Sequence, residues 1–573
     1  MRSHVSQVAR ALAAWLAYGL AAALVVLPVA VVWALQDASF EDRLGAFPVE
    51  VSLAHNGVST LDTGILGELY WERTGTAGLG ASIRSTGPPE AGGTLSSYVS
   101  PEFLRANAAF VDDPSEVARA YGHELRSEVL GRLLRAEVVA AVVLGGLLAL
   151  AFRGRPPPVP ASQRSPGRRV ALTAAGLVAA TGVSTFVAVQ GFQAWDGNRE
   201  IEAGYPMPGV EGLSFSSAQT VEVAQQVQPF IEKNTERIRA DARRYEATAT
   251  EALEDALPLH DLAPREGERV VLAEADPQGS LVGTRVRRAL YPMLAEELGE
   301  DATTVRTISG DISSNGTVAE EGFVRGEAAA SPDVPTVAVK GDHDSETTVT
   351  QLEENDVQVP DLEVVDVDGL LLAGAADPAF KALFGGLVTN DSGREEDEVG
   401  ADLREVVDAE VEDGEGVLAL LHQPRAVAGY LGVASTAELT VTEGRETTPW
   451  DDGVPDAPPG GVNIGHLHDA EGPWVLWNTG EDPDDLVTWT VVSQLGTSGG
   501  VEETPTFNRF STPFSVPLKT VSVQLQYVDA DTGLHTGWAG IDISPEGAVT
   551  ITDRIDLGLP GGEPLTREEL GLP

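Results

Sequence analysis

Three apolar runs bound what this chain can fold into. The first, Ala11 to Gln36, has only Trp15, Tyr18 and the terminal Gln36 as partly polar members, and it is long enough to cross roughly 30 Å of hydrocarbon. Pro28 lies inside it as a site for a kink. The second, Val138 to Phe152, is short, with Arg135 and Glu137 at its border able to snorkel. The third, Val170 to Val189, is of spanning length. Arg2 and Arg10 precede the first run as they would a secretory signal, but its apolar stretch exceeds a signal's core and two further runs follow. The expectation is an uncleaved anchor in a lipid bilayer.

Arginine placement sets an expected orientation. Residues 153–169 hold five Arg and no acid between the second and third runs, and the N-terminal stub is also basic, whereas Asp37, Glu41 and Asp42 follow the first run at once. The consistent solution is a cell-membrane protein with its N-terminus cytoplasmic, residues 37–134 outside, the Arg-Pro loop inside, and everything after about Trp195 extracellular.

Charge narrows the partners. Asp and Glu number 87 against 38 Lys and Arg, a formal net of -49, and the only lysines are Lys233, Lys340, Lys381 and Lys519. Carboxylates hold water and cations, so a lysine-poor acidic surface suits solubility in concentrated salt, and the chain reads as halophilic. Without a basic stripe outside one short loop, the phosphate-neutralising attraction that drives nucleic-acid binding is missing. Cysteine is absent, which excludes disulfides, thiolate metal sites and cysteine nucleophiles.

The segments fall into a plan: 1–36 as cytoplasmic stub and first span, 37–134 as a small extracellular β-containing domain, 135–192 as the second and third spans, 193–258 as an extracellular helical stalk, and 259–573 as a large domain. In 37–134, short alternating stretches broken by Gly suggest strands, and Ser115 to Arg135 reads as a helix running into the second span. Residues 214–255 show helical spacing around Pro229. From about Glu266, short β-rich runs alternate with helical or loop stretches, and several end in Asp, His or Gly-Asp just past the last apolar residue. Layered α/β folds present functional groups in this way, because loops at strand ends converge on one edge.

Six of the nine histidines lie from His260 onward. His343 sits in Gly341-Asp342-His343-Asp344, His422 in Leu420-Leu421-His422-Gln423, and His466 and His468 in Gly465-His466-Leu467-His468. Upstream are Asp276 in Ala275-Asp276-Pro277-Gln278-Gly279 and Asp311 in Ser309-Gly310-Asp311-Ile312. Imidazole with carboxylate is the natural donor set for divalent ions such as Zn, Mn and Fe. Two residues apart in a strand, His466 and His468 would point to one side. A lone Gly-Asp is usually a turn and a lone strand-end His usually a surface residue; the ordered set carries the signal.

That order resembles the calcineurin-like metallophosphoesterase family, over roughly residues 265–555. The Gly496-Thr497-Ser498-Gly499-Gly500 turn is similar to that of its membrane-anchored prokaryotic members. The resemblance implies a four-layer α/β sandwich that hydrolyses a phosphomonoester or phosphodiester with two divalent ions, Mn, Fe or Zn foremost and Mg or Ca next. It implies that Asp311 bridges the ions, that Asp276, Gln278 and His468 serve one, and that Asp342, His422 and His466 serve the other. His343 would protonate the leaving oxygen or steady the phosphoryl group, with metals about 3.5–4 Å apart. Gln278 stands where the family has His and Asp342 where it has Asn. A neutral amide is a poorer ligand than imidazole; the added carboxylate suits a harder cation but weakens Lewis acidity and repels an anionic ester.

These departures motivate the alternative of a non-catalytic surface binding or scaffold domain on the same fold. A transporter is disfavoured, since three spans with no intramembrane charge beyond the border pair offer no substrate path. The sequons at Asn315-Gly316-Thr317 and Asn390-Asp391-Ser392, and the acid-rich Gly393 to Glu415, have ordinary structural readings. His55 and His123 lack partners at ligand spacing.

Overall fold

The computed structural model describes residues 2–44, 47–55, 57–62, 68–72, 78–87, 114–151, 166–195, 204–207, 213–299, 302–381, 388–390, 392–412, 414–437, 457–480, 482–501, 517–559 and 562–571. The chain divides into two compact units, the first drawn mainly from residues 1–229 and the second mainly from 230–573. The fold is mixed α/β, with three helices long and apolar enough to cross a membrane.

In the first unit, α1 (Arg2–Asp37), a continuous helical rod and α4 (Pro166–Gln193) supply those spans. The rod is α2 (Pro114–Val139) passing through a π-helical turn (Ala140–Leu144) into α3 (Gly145–Ala151). The second apolar run is therefore the end of a longer helix, as its upstream periodicity suggests. Helices in lipid lack a hydrophobic drive to associate and rely on close packing. Here Gly145 meets α1 so tightly that a Cβ would lie 2.5 Å from Gly19 Cα. Arg132 pairs with Asp37 and donates to Ser39 O at 3.2 Å, tying the end of α1 to α2.

Beside these helices lies a seven-stranded sheet. Its strands are β1 (Ser39–Leu44), β2 (Phe47–Ala54), β3 (Val58–Asp62), β4 (Glu68–Glu72), β5 (Gly80–Ser85), β6 (Tyr205–Pro206) and β7 (Leu213–Phe215), in the order β1-β2-β5-β3-β4-β7-β6. The segment expected as a helical stalk, 193–258, thus also contributes two short strands ahead of its helix. Leu213 and Phe215 alternate about Ser214 and pair with the Leu69–Trp71 stretch of β4, a long-range partnership that local helical periodicity downstream does not register. His55, which lacks partners at ligand spacing, stacks on Trp195 with ring centroids 5.6 Å apart.

The second unit holds two facing sheets. One is built from β8 (Glu268–Glu274), β9 (Thr303–Ile308), β10 (Thr336–Ala338), β19 (Val521–Asp529), β20 (His535–Ile543) and β21 (Val549–Asp556), in the order β10-β9-β8-β19-β20-β21. The other contains β11 (Glu363–Val367), β12 (Leu370–Gly374), β15 (Val417–Leu421), β16 (Gly460–Ile464), β17 (Glu471–Asn478) and β18 (Leu486–Gln494), in the order β11-β12-β15-β16-β18-β17, with β22 (Leu565–Thr566) added to β18. β13 (Phe380–Lys381) and β14 (Val388–Thr389) form a separate pair.

Alternation along the central strands explains the layering, since successive side chains face opposite sides. Val271, Val305, Val337, Leu418 and Leu420 from both sheets share one core. Val270 and Leu272 face the other way, onto α5 (Ala218–Ala256) and α6 (Leu281–Leu298) through Leu253, Leu290 and Leu294. Val417, Ala419 and Leu421 likewise face α9 (Glu396–Glu410) and α10 (Pro424–Leu431) through Leu403 and Val427. Each strand buries both faces, so β15 reads as the unbroken run VLALL. Truncating Leu420 to Ala would cost roughly 2–5 kcal/mol. The remaining helices of this unit are α7 (Glu321–Ala328), α8 (Glu346–Glu353) and α11 (Arg567–Leu570).

While β19 joins β8 antiparallel, each sheet contains a parallel group, β8 with β9 and β10 in one and β12 with β15, β16 and β18 in the other. Their C-terminal ends therefore fall along one edge.

Candidate metal centre

Each candidate residue follows the end of a parallel strand: Asp276 and Gln278 after β8, Asp311 after β9, Asp342 and His343 after β10, His422 after β15, His466 and His468 after β16. The chain must turn sharply there, and five of the eight described non-glycine residues with positive φ are Asp276, Gln278, Asp311, His466 and His468. Such backbone is costly for residues with a Cβ and recurs where a site is built. The glycines beside them are required by contact. A Cβ on Gly310 would lie 2.4 Å from His422 Nδ1, and one on Gly341 would lie 2.2 Å from Asp311 N.

The structure brings these residues together in two groups that could hold a metal ion. Asp311, Asp342, His422 and His466 form one; Asp276, Asp311 and His468 form the other; within each, the ligand atoms lie within 4.8 Å of one another. Asp311 belongs to both. His422 Nε2 is 3.3 Å from Asp311 Oδ1 and 3.5 Å from Asp342 Oδ1. His466 Nδ1 is 3.8 Å from Asp342 Oδ1, and His468 Nε2 is 3.3 Å from Asp276 Oδ1.

The outer contacts aim these atoms. His422 Nδ1 lies 2.9 Å from Ser309 O and His468 Nδ1 3.0 Å from Val501 O, so each ring turns Nε2 toward the carboxylates. Thr497 Oγ1 donates to Asp276 O at 2.7 Å, and His466 N donates to Asp276 Oδ2 at 3.0 Å. Asp344 accepts from Ser313 N at 2.8 Å and from Ile312 N and Gly341 N at 3.0 Å, knitting the Asp311 and Asp342 loops into one piece. His343 N donates to Asp311 Oδ1 at 2.8 Å, while His343 Nδ1 lies 3.2 Å from Ser314 O.

Gln278 is buried in the site beside the shared carboxylate. Its Nε2 donates to Asp311 Oδ2 at 3.2 Å. The amide therefore steadies the shared carboxylate.

Electrostatics show what this donor set demands. Burial, together with Asp342, Asp276 and Asp344, pushes the Asp311 carboxyl well above its ordinary value against the pull of His422. Burial opposes charge on Asp342 as well, but His422, His343 and His466 outweigh it and hold that carboxyl far below the usual range. Burial would lower His422, yet Asp311, Asp342 and Asp276 raise it well above an ordinary imidazole. Burial lowers His343 and His466 to about 4. Three crowded carboxylates thus draw positive charge toward them. Among the described residues, the buried Asp342 Oδ1 and His422 Nε2 have no hydrogen-bond partner, an expensive state for polar atoms unless a ligand satisfies them. These residues fit a divalent cation.

Two neighbours carry no motif in the sequence. Asp377, after β12, is buried, accepts from Ala379 N at 2.8 Å and leaves Oδ2 unpartnered among the described residues; burial raises its carboxyl, with His422 pulling it down and Asp342 pushing it up. Lys381 in β13 places Nζ 4.0 Å from Asp342 Oδ2. The first sequon lies in the loop beside His343 with Asn315 buried, whereas Asn390 is exposed and bonded within its own turn.

No protein-family model and no curated protein matches this chain.

Proposed function

We propose that the second unit is a calcineurin-like phosphoesterase domain, anchored by the three apolar helices and facing outward, that hydrolyses phosphoesters with two divalent ions. The observation that carries this reading is that Asp311 belongs to two adjacent Asp/His groups. A shared carboxylate between two ligand sets is the arrangement a two-ion phosphoryl-transfer site needs.

In this reading Asp311, Asp342, His422 and His466 hold one ion, and Asp276, Asp311 and His468 hold the other, with Gln278 orienting Asp311. These residues would hold divalent ions whose Lewis acidity would supply polarisation of the phosphoryl oxygens and activation of a water. His343 is held at Nδ1 by Ser314 O, and a proton taken up on its other nitrogen would pass to the leaving oxygen as the phosphorus–oxygen bond breaks. Ser309 and Val501 fix the tautomers of His422 and His468. Mn suits the mixed imidazole and carboxylate set, with Fe or Zn close behind.

The purified full chain, supplied with Mn, should hydrolyse a chromogenic phosphoester, and Asp311→Ala should abolish turnover. Hydrolysis that persists without Asp311 rules out this mechanism. The orientation is tested separately. The chain has no cysteine, so a single cysteine at the exposed Asp553 should react with an impermeant maleimide on intact cells, and one at Ser162 should not.

Gln278 favours a second reading. It directs an amide N–H, not a lone pair, at Asp311, which leaves the Asp276 group with three donors. A surface binding domain that keeps one structural ion would show this asymmetry, and a metal count of one per chain, with no turnover, would select it.

A further inference from the structure

Lysine is rare in this acidic chain, yet one of its four lysines stands at the site. Lys381 N donates to Asp342 O at 2.6 Å, which stitches β13 to the Asp342 loop and fixes where the side chain begins. Its Nζ lies 4.0 Å from Asp342 Oδ2, and its side chain is 34% exposed where that of Asp342 is 5%. At that separation the pair is not hydrogen-bonded. The contrast with Lys340 and Lys519 is informative, because they sit 2.9 Å and 3.0 Å from Glu346 and Asp469 in ordinary paired geometry. Among the described residues, no other Lys or Arg forms an ion pair with a member of the two metal groups. Among the described residues, the Lys381 ammonium thus has no hydrogen-bond partner, and it is half-exposed beside the Asp342 carboxylate.

We propose that Lys381 is the cation that recognises the substrate's phosphate, and that the substrate class is a phosphomonoester. The proposal rests on the phosphoesterase reading and deepens it. Asp276, Asp311, Asp342 and the nearby Asp377 would together offset the four charges that two divalent ions bring, leaving no net charge for the ester. The dianion of a monoester at neutral pH asks for one more positive charge than a phosphodiester monoanion does, and Lys381 supplies a charge beside the carboxylate that would otherwise repel a terminal oxygen. A lysine ammonium binds phosphate as a point charge with rotatable donors, which suits a terminal phosphate free to turn about its ester bond.

The test uses the full-length, detergent-solubilised, Mn-loaded protein and its Lys381→Gln and Lys381→Arg variants. Calorimetry with inorganic phosphate should show about tenfold weaker binding for Lys381→Gln, with Mn stoichiometry unchanged and most of the affinity kept by Lys381→Arg. A chromogenic monoester should show a KM raised about tenfold in Lys381→Gln with kcat changed little, while a chromogenic diester should keep its kcat/KM. Unchanged phosphate affinity in Lys381→Gln, an absence of phosphate binding in the parent, or equal losses on both esters would overturn the assignment. Phosphate binding that depends on Lys381 without hydrolysis of either ester would support the recognition and sink the phosphoesterase reading. Hydrolysis of both esters indifferent to Lys381 would do the reverse.

Discussion

His422 Nε2 stands 3.3 Å from Asp311 Oδ1 because the other nitrogen of the same ring is held 2.9 Å from Ser309 O, two residues before that aspartate. The strand end that delivers the shared carboxylate also sets the angle of the imidazole facing it, so the two cannot drift apart independently. His422→Ala removes one donor from the Asp311, Asp342 and His466 group and leaves the Asp276 and His468 group whole. Metal analysis should then show the first ion lost, by a margin beyond the roughly 10–100-fold that removal of an outer partner costs, and the second ion retained. Equal retention of both ions would mean that His422 is not a ligand.

The sequence exposes much of this site for a physical reason. A strand that ends on an edge must turn at once, so a candidate ligand and the glycine that makes room for it follow the last apolar residue closely, as in Ile308-Ser309-Gly310-Asp311 and Ile464-Gly465-His466. Asp377 and Lys381 have no such signature. Ala375-Ala376-Asp377-Pro378 reads like any turn after a strand, and Lys381 reaches Asp342 only because β13 folds back across the Asp342 loop. The joining of β7 to β4 is equally silent, since Leu213 and Phe215 need partners distant in sequence. The role of Gln278 follows from the direction of its amide, which residue type alone leaves open.

Away from the site, Glu268 sets an acid limit on the second unit. Burial alone would raise its carboxyl, but Arg554, the Arg265 N–H and the Thr536 hydroxyl outweigh that and lower it from 4.5 to about 2. Arg554 donates to both Glu268 oxygens at 2.6 Å and lies 4.3 Å over the Tyr527 ring. A depressed carboxylate contributes stability that is complete above its unfolded value and drains away as pH falls through its folded one. Arg554→Met should therefore lower stability at neutral pH and flatten its dependence on pH between 4.5 and 2. The two proteins should converge as the pH approaches 2, and a constant gap across that range would show that packing, not the ion pair, was lost.

Beneath the Asp276 loop, four fully buried charges close into a ring. Arg287 Nη1 lies 2.6 Å from both Glu274 Oε2 and Glu327 Oε1, and Arg306 Nη2 lies 2.9 Å from Glu274 Oε2 and pairs with Glu327. Glu274 ends β8 two residues before Asp276, and Arg287 Nε donates to Ser498 O at 2.9 Å in the turn whose Thr497 holds the Asp276 carbonyl. A network of this kind owes its net worth to being complete, because each charge has given up water. Arg287→Met strands two buried glutamates on one remaining arginine and should cost about 3–5 kcal/mol, read as a fall in the denaturant midpoint of the solubilised chain. Its effect on the site should be uneven. The Ser498 carbonyl loses its donor on the Asp276 side, so the ion held by Asp276 and His468 should weaken first in a metal titration while the ion held by His422 and His466 persists. Replacing all four charges together with apolar residues of similar volume should cost less than the single change, since no unpaired charge is left behind. If the fourfold variant is instead the less stable one, the ring contributes directly to folding.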